Sequence, residues 1–481
     1  MERRISYYYD PGVGNFFYGS RHPMKPYRLS ITNSLVLTYG LYERMHVFRP
    51  RKATKAQLCA YHAPSFIEYL CKGNTMQDLP DADFGPVGGA GDFPIDLTGN
   101  PLLNKNYTKD SSGKKPQKAR IRATGDCPVF DGLFSYVQIF TGASIEAAQR
   151  LNAGLCDVAI NWSGGMHHAH KALPSGFCYA NDIVLAILEL LKHHPRVLYV
   201  DIDIHHGDGV QEAFYFTDRV MTLSLHKYGE GFFPGTGSLQ EVGFGAGKYT
   251  TINVPLDNGI GDEAYMSLFK PIMENIMQCY RPTAIVLQCG ADSIKLDRLG
   301  CFNLSHRGHG DCVRYALSFN VPTLILGGGG YTVKNVCRAW TYETGIICGM
   351  DKDLEKATIP ESIDYYPSFA PNWDLLPKLE GCFENKNSRE DLDFTRETVL
   401  TNIRRLQGAP AVNMPYVPSP AFLLNDFSKL KDLEGEYERM IQDPEIVAMY
   451  DPDQRDLTGG QGGIPPIKLT EFYSGEKDQD H

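Results

Sequence analysis

Four short apolar stretches stand out along the chain, at residues 158–161, 197–200, 284–288 and 323–326. Short, continuously apolar and β-branched stretches bounded by glycine or proline are typical of strands buried on both faces of a parallel sheet. Each stretch leads directly into a cluster of polar residues. Because ligands of such sheets bind beyond the carboxyl ends of the strands, the pattern predicts one site assembled from four strand ends.

Helical patterns alternate with these strands, and we predict helices at residues 142–153, 181–194, 263–280 and 306–319. Asn181 is a suitable N-cap for the second helix, whose apolar positions form one broad face. Strands alternating with helices predict an α/β fold with a central, mainly parallel sheet and helices on both faces.

The remaining segments differ in character. Residues 85–122 are rich in Gly, Pro, Asn, Asp and Lys and lack apolar periodicity, which predicts a long surface insertion. We divide the chain into a main domain, 1–380, and a C-terminal extension, 381–481, with a helix near 390–405 and a flexible end.

Composition limits the class of protein. The chain is 42% hydrophobic and 22% charged, and no stretch approaches the roughly 18 apolar residues of a membrane span, so we expect an intracellular protein without a membrane partner. Twelve cysteines without a CxxC pair indicate reduced thiols. The net charge of −10 argues against direct nucleic-acid binding and favours basic partners such as lysine-rich tails.

Asp203 and His205 are spaced to share one metal ion, because residues two apart in an extended strand point to the same side. Asp292 follows another strand and completes three protein ligands, which leaves a position open for water. This mixed set suits Zn²⁺, and also Fe(II), Co(II) or Mn(II). A buried ion pair between Asp203 and His205 is the alternative interpretation.

The adjacent His167 and His168 follow two glycines and are predicted to be acid–base groups above the metal. Asp201 and Asp208 are the carboxylates available to orient their rings. Tyr331 follows four glycines and is suited to donate a hydrogen bond to a developing oxyanion. A merely structural histidine pair is the alternative.

These residues lie in a motif series that resembles the class I zinc-dependent histone deacetylases. The segments are GGMHHA (164–169), SGFCYAND (175–182), DIDIHHGDGV (201–210), FPGTG (233–237), QCGAD (288–292), DRLGCFN (297–303) and LGGGGY (326–331). The match runs in order from about residue 7 to 349. It implies the arginase/deacetylase fold and hydrolysis of N-ε-acetyl-lysine in histone tails, within chromatin regulation and transcriptional repression.

The resemblance also implies roles for single residues. Zinc would be held by Asp203, His205 and Asp292. His168, backed by Asp208, would be the general base and then acid, His167, backed by Asp201, would hold the attacking water, and Tyr331 would polarise the acetyl carbonyl. Substrate contacts would come from the channel, its rim and its inner cavity, at Asp126, Met166, Gly176, Phe177, Phe233, Leu299 and Arg28.

Further ligands and partners are implied in the same way. A structural K⁺ would lie at Asp201, Asp203, His205, Ser224 and Leu225. Lys25, Arg298 and Lys334 match positions that bind an inositol phosphate between class I enzymes and corepressor subunits, although Lys334 is usually Arg. We expect a nuclear protein, with the cytoplasm as a second compartment, and the basic cluster at 114–122 is suited to be a nuclear address.

Two alternatives share these motifs. A deacetylase of small acetylated amines, such as polyamines, would use the same zinc, histidines and tyrosine, but it would favour an acidic gatekeeper near Leu299, and the sequence has none there. A noncatalytic acetyl-lysine reader would have lost a ligand or Tyr331, and neither is lost.

Overall fold

The computed structural model describes residues 3–72 and 126–406, and these residues belong to one compact unit. The predicted insertion at 85–122, the basic cluster at 114–122 and the end of the C-terminal extension lie outside the described residues. Their predicted roles therefore stay predictions.

One eight-stranded sheet forms the centre of the described chain, and all of its pairings are parallel. Its spatial order is β2-β1-β3-β8-β7-β4-β5-β6. The strands are β1 (Ile5–Tyr8), β2 (His46–Phe48), β3 (Val158–Asn161), β4 (Val197–Asp201), β5 (Val220–Lys227), β6 (Thr251–Leu256), β7 (Ala284–Gln288) and β8 (Thr323–Leu326). The four predicted strands are confirmed as β3, β4, β7 and β8.

Helices surround the sheet and connect its strands. They are α1 (Tyr27–Thr38), α2 (Lys55–Leu58), α3 (Pro64–Lys72), α4 (Leu133–Asn152), α5 (Asp182–Leu190), α6 (Asp208–Phe214), α7 (Asp262–Cys279), α8 (His306–Ser318), α9 (Val333–Cys348), α10 (Asp351–Leu354) and α11 (Arg389–Arg404). The predicted cap of α5 is confirmed, because the Asn181 side chain accepts a hydrogen bond from the Val184 N–H.

The predicted start of α4 at residue 142 is wrong, since the helix begins nine residues earlier at Leu133. Most side chains of its first half are buried, so no polar face marked that half as a helix. Gly142 lies inside the helix, where a Cβ atom would overlap the carbonyl oxygen of Arg51. The glycine therefore allows close packing and does not mark a boundary.

Successive residues of the strands divide between two hydrophobic cores, one on each face of the sheet. In β4, Leu198 and Val200 join one core, and Val197 and Tyr199 join the other. Helix α5 packs on the second core, whereas α7 and α9 contribute to the first. The burial of β4 on both faces accounts for its continuously apolar sequence, and helices on both faces are confirmed.

Helix α11 lies within the predicted C-terminal extension and packs against the main core. Its residues Val399, Leu400 and Ile403 are buried there. The preceding segment is also attached, since Asn387 exchanges hydrogen bonds with the backbone of Asp257. Among the residues that the structure describes, no helix combines the length and hydropathy that crossing a membrane requires.

Candidate active site

Polar residues converge at the carboxyl ends of four strands that are neighbours in space. The strands β3, β8, β7 and β4 lie side by side in that order, which differs from their order along the chain. The residues that follow them include both adjacent histidines, Tyr331, Asp292 and the pair Asp203 and His205. The predicted convergence of four strand ends is therefore what the parallel sheet produces.

Asp203, His205 and Asp292 form a buried cluster whose ligand atoms all lie within 4.8 Å of one another. The Nδ1 atom of His205 stands 3.1 Å from Oδ1 of Asp203 and 3.0 Å from Oδ2 of Asp292. The other oxygens of the two carboxylates accept hydrogen bonds from the protein. One oxygen of each carboxylate is thus left to face the imidazole.

These separations fit a metal ion. Neighbouring ligands about 2.0–2.1 Å from a tetrahedral centre stand about 3.3 Å apart, close to the distances around His205. Burial opposes the charged form of His205, but Asp292 and Asp203 outweigh burial and raise its pKa to about 10. Two buried carboxylates directed at one imidazole are thus able to neutralise a cation at this position.

Two glycines allow the ligands to approach this closely. A Cβ atom at Gly290 would overlap the Asp203 carboxylate, and one at Gly329 would overlap the carboxylate of Asp292. The N–H of Gly329 also donates to Oδ2 of Asp203 at 2.8 Å. The glycine run before Tyr331 therefore serves the ligand cluster as well as the tyrosine.

His167 and His168 each form a pair with the predicted aspartate. Nδ1 of His167 lies 2.8 Å from Oδ2 of Asp201, and Nδ1 of His168 lies 2.7 Å from Oδ1 of Asp208. The two ring centroids are 3.9 Å apart, and Nε2 of His167 is 3.9 Å from Asp203. Since each Nδ1 is directed at a carboxylate, each Nε2 is directed away from it and toward the site.

The two imidazoles differ in their affinity for a proton. Burial disfavours the charge on His167, yet Asp201, Asp203 and Asp208 together outweigh it and raise the pKa of His167 to about 9. Burial and the neighbouring charge of His167 instead lower the pKa of His168 to about 3, against the pull of Asp208. Of the two imidazoles, His168 is therefore the one that is free to accept a proton.

Tyr331 is partly buried, and its ring meets that of Phe177 edge to face at 5.6 Å. Burial and the charges of Asp292 and Asp203 hold the pKa of the phenol well above its usual value. The hydroxyl therefore keeps its proton and is available as a hydrogen-bond donor.

Arg28 is buried beneath the glycine run. Its Nη1 and Nη2 atoms donate to the carbonyl oxygens of Gly330 at 2.6 Å and Gly328 at 2.5 Å, and its guanidinium lies 4.8 Å from the centre of the Trp340 ring. The arginine thus fixes the backbone that leads to Tyr331. Its implied place in an inner cavity stays a prediction.

Gly176 and Phe177 form a turn beside the histidines, with φ values of 52° and 69°. The Gly176 N–H donates to Oδ2 of Asp126 at 2.7 Å, and a Cβ atom at Gly176 would overlap the His168 ring. Asp126 therefore supports the turn that carries Phe177, a role that the sequence did not indicate. Its implied contact with substrate stays a prediction.

The Phe233 ring meets the His168 ring edge to face, with ring centroids 4.9 Å apart, and Phe233 is 43% exposed. Together with Phe177 it places one aromatic ring beside each of the groups His168 and Tyr331. Leu299 is partly exposed, and Met166 is buried in the main core with its N–H bound to Asp182. Their contacts with substrate stay predictions.

The residues implied in potassium binding lie at neighbouring strand ends, because Asp201 of β4 pairs in register with Ser224 of β5, and Leu225 follows.

The residues implied in inositol phosphate binding lie at the surface or contact backbone carbonyls. Lys25 donates to the carbonyls of Gly19 and Ser20, Lys334 donates to the carbonyl of Ala370, and Arg298 is exposed. The binding of K⁺ and of an inositol phosphate stays a prediction.

Sequence reasoning missed several residues that hold the site. The Tyr199 hydroxyl donates to Asp201, Gln288 donates to Asp203, and Asp297 accepts from the backbone of Tyr331 and Thr332. Gln288 and Asp297 belong to the recognised motifs, so their positions were a signal for a supporting role. Tyr199 lies within an apolar strand and gave no such signal.

An all-parallel α/β sheet with a buried Asp–His–Asp cluster at its carboxyl edge defines the class of arginase/deacetylase-fold proteins. The family description "Histone deacetylase domain" matches residues 22–347. The chain therefore belongs to the histone deacetylase family, whose members are hydrolases. Its relatives are consistent with the class I, Rpd3-like branch.

Three curated relatives support this assignment. Histone deacetylase 19 of Arabidopsis thaliana is 50% identical over 414 residues, which cover 86% of this chain and 74% of the relative. Histone deacetylase B of Dictyostelium discoideum is 47% identical over 432 residues, 89% of this chain and 93% of the relative. Histone deacetylase 9 of Arabidopsis thaliana is 48% identical over 428 residues, which cover 89% of this chain and 91% of the relative.

Proposed function

We propose that this protein is a zinc-dependent protein lysine deacetylase that hydrolyses N-ε-acetyl-lysine in histone tails to lysine and acetate. The observation that carries the proposal is the arrangement of one buried Asp–His–Asp cluster next to two oriented His–Asp pairs. This arrangement supplies a cation site and, beside it, an imidazole that can accept and then donate a proton.

Asp203, His205 and Asp292 would hold the Zn²⁺ ion. When bound there, the metal supplies Lewis-acid polarisation of the acetyl carbonyl and makes water more acidic. The three side chains are buried and already close together, so little rearrangement is needed to receive the ion. Asp203 and Asp292 bring the negative charge that offsets the cation.

His168 is the proposed general base. Its Nε2 atom accepts a proton from the attacking water, while Asp208 stabilises the resulting imidazolium through Nδ1–H. The same imidazolium then gives this proton to the lysine nitrogen as the C–N bond breaks. The products are the lysine amine and acetic acid, and the acid loses its proton to solvent to become acetate. His167, held by Asp201, orients the water.

The Tyr331 hydroxyl donates a hydrogen bond to the carbonyl oxygen of the acetyl group, where negative charge develops during attack. Phe177 and Phe233 flank the aliphatic part of the lysine side chain and exclude water from it. An extended, apolar side chain with a small acyl end fits these contacts better than a charged or branched one.

We further propose that the substrates are histone tails in the nucleus and that the reaction serves chromatin regulation and transcriptional repression. Relatives that are named histone deacetylases support histones as the substrates. The net charge of −10 favours a basic tail as substrate. The same proposal includes a structural K⁺. It also includes binding to corepressor subunits through an inositol phosphate at Lys25, Arg298 and Lys334.

The test is turnover of an acetylated histone-tail peptide and of an acetylated polyamine by the purified protein, with chelator and after zinc is returned. We expect peptide turnover that chelator abolishes and zinc restores, with the polyamine slower by about 10-fold or more. Asp292→Asn should lose zinc and activity, whereas Asp353→Asn, at an exposed position, should keep both.

Full activity of the metal-stripped protein would contradict the zinc mechanism. Faster turnover of the polyamine than of the peptide would favour the small-amine deacetylase. Zinc binding without turnover of either substrate would favour an acetyl-lysine reader.

A further inference from the structure

A buried ionic pair lies behind the ligand cluster, between helices α8 and α9. His309 of α8 and Glu343 of α9 are both 0% exposed, and Nδ1 of His309 is 2.5 Å from Oε1 of Glu343. The other ring nitrogen, Nε2, is 3.0 Å from the carbonyl oxygen of Gly290. The acetyl-lysine chemistry proposed above makes no use of either side chain.

The protons of the pair follow from its partners. The Gly290 carbonyl oxygen can only accept a hydrogen bond, so Nε2 of His309 carries a proton. A second proton then lies between Nδ1 and the Glu343 carboxyl. The pair therefore has no net charge and presents one polarised N–H donor to Gly290, and both of its side chains are fully buried.

Gly290 connects this pair to the ligand cluster. It lies two residues before Asp292, its N–H donates to Oε1 of Gln288 at 2.7 Å, and Nε2 of Gln288 donates to Asp203 at 2.9 Å. The α-carbon of Gly290 is packed against the Asp203 carboxylate. Any displacement of the Gly290 backbone would therefore change its distance from Asp203. The Gly290 carbonyl that His309 binds therefore belongs to the backbone segment that packs against the ligand cluster.

Helix α9 holds the same loop at a second point. The indole N–H of Trp340 donates to the carbonyl oxygen of Cys289 at 2.8 Å, so two consecutive carbonyls, at Cys289 and Gly290, are fixed by side chains from helices. These contacts set the path of the chain between the end of β7 and Asp292.

A buried charged pair between α8 and α9 stabilises the fold less well than apolar side chains could. Placing charged groups in the protein interior costs several kcal/mol each, and apolar side chains of similar volume are often as stabilising or more so. The pair therefore needs a reason other than packing, and the fixed Gly290 carbonyl provides one.

We propose that His309 and Glu343 are positioning residues that hold the 289–292 loop so that Asp292 meets Asp203 and His205 at metal-binding distance. The inference rests on the proposed function in one respect, that Asp292 is a metal ligand. Partners of this kind typically change metal affinity by about 10- to 100-fold when they are removed.

The test measures metal affinity directly, by competition of the purified protein with a chromophoric chelator for Zn²⁺, and ligand geometry by the visible absorption of the Co²⁺-substituted protein. The main variant is the double substitution His309→Leu with Glu343→Leu, which removes both charges together and avoids leaving one buried charge unpaired. We expect about 10- to 100-fold weaker zinc binding and an altered Co²⁺ spectrum, with the folded circular dichroism spectrum retained.

Two further variants make the result specific. His306→Leu removes another buried histidine of the same helix, one whose Nε2 has no hydrogen-bond partner within the described residues, and should leave zinc affinity unchanged. His309→Gln keeps a side-chain N–H able to reach Gly290 and should bind zinc more tightly than His309→Leu, even where the double variant does not fold.

The outcomes separate this inference from the function on which it rests. Parental zinc affinity in the folded double variant, or equal affinities of His309→Gln and His309→Leu, would overturn the positioning role and leave the deacetylase proposal intact. Failure of the parent protein to bind zinc would overturn both.

Discussion

At the scale of single residues, Tyr331 owes its position to contacts of the backbone around it. Its N–H donates to Oδ2 of Asp297 at 2.7 Å, and Arg28 holds the carbonyls of Gly328 and Gly330 just before it. The Tyr331 hydroxyl takes no part in these backbone contacts. A substitution that removes only this oxygen should therefore leave the loop in place.

We expect Tyr331→Phe to lower kcat for an acetylated peptide by about 10²-fold or more, the usual cost of losing an oxyanion donor. Zinc content and the unfolding midpoint should stay at the parental values, because the phenol is no ligand and the backbone contacts remain. Steady-state kinetics with zinc analysis provide the measurement. Comparable kcat values for the two proteins would mean that the ring only packs against Phe177.

At the scale of secondary structure elements, His62 links the start of α5 to the loop that carries both active-site histidines. Its Nε2 accepts from the N–H of Asn181 at 2.9 Å, and its Nδ1 donates to the carbonyl of Lys171 at 3.1 Å. Asn181 in turn donates to the carbonyl of Ala169 and caps α5. Because Nε2 must accept, this bridge requires a neutral imidazole.

Stability should therefore depend on pH through His62. Burial lowers the pKa of His62 to about 4, below the value of about 6.5 in an unfolded chain. As the pH falls from about 6.5 to 4, the unfolded state gains a proton that the folded state resists, so the free energy of unfolding falls, by on the order of 3 kcal/mol for this group.

Denaturant unfolding in the presence of chelator, at several pH values between about 4 and 7, measures this effect. In His62→Gln the carboxamide oxygen can accept from Asn181 without titrating, so we expect a weaker dependence on pH than in the parent. Identical slopes for the two proteins would assign the acid sensitivity to other buried groups.

The elements also show what sequence patterns can and cannot predict. Strands such as β4 and β7 were predictable because both of their faces are buried, which makes them continuously apolar. The first half of α4 was not, because it is buried almost all round and so lacks an amphipathic period. Likewise His309 and Glu343 lie in helical sequence, and no local pattern shows that their partner is Gly290.

At the scale of the whole molecule, residues 383–406 are attached to the main domain although their composition suggested an extension. The backbone of Phe383 exchanges hydrogen bonds with Asn303, and α11 buries Val399, Leu400 and Ile403 in the main core. The predicted domain boundary at residue 380 stays a prediction, but these contacts should stabilise the fold.

We expect a chain that ends at residue 380 to be less stable than one that ends at residue 406. Burial of each of the three apolar side chains of α11 contributes about 1.5–3 kcal/mol, so the shorter chain should lose on the order of 5 kcal/mol. Denaturant midpoints of the two chains, compared with that of the full chain, test this. Equal midpoints would show that the contacts of α11 add nothing to folding.

The order of strands in the sheet has a consequence for how the chain is made. Strand β3 pairs with β8, whose residues follow roughly 160 positions later, and β8 also separates β3 from β7. At ribosomal elongation rates of about 5–20 residues per second, β3 waits on the order of 10 to 30 s for its neighbour. Until then the nascent sheet has an open apolar edge that other chains can join. We therefore expect chaperones that cover this edge until β8 leaves the ribosome to raise the yield of soluble protein in cells.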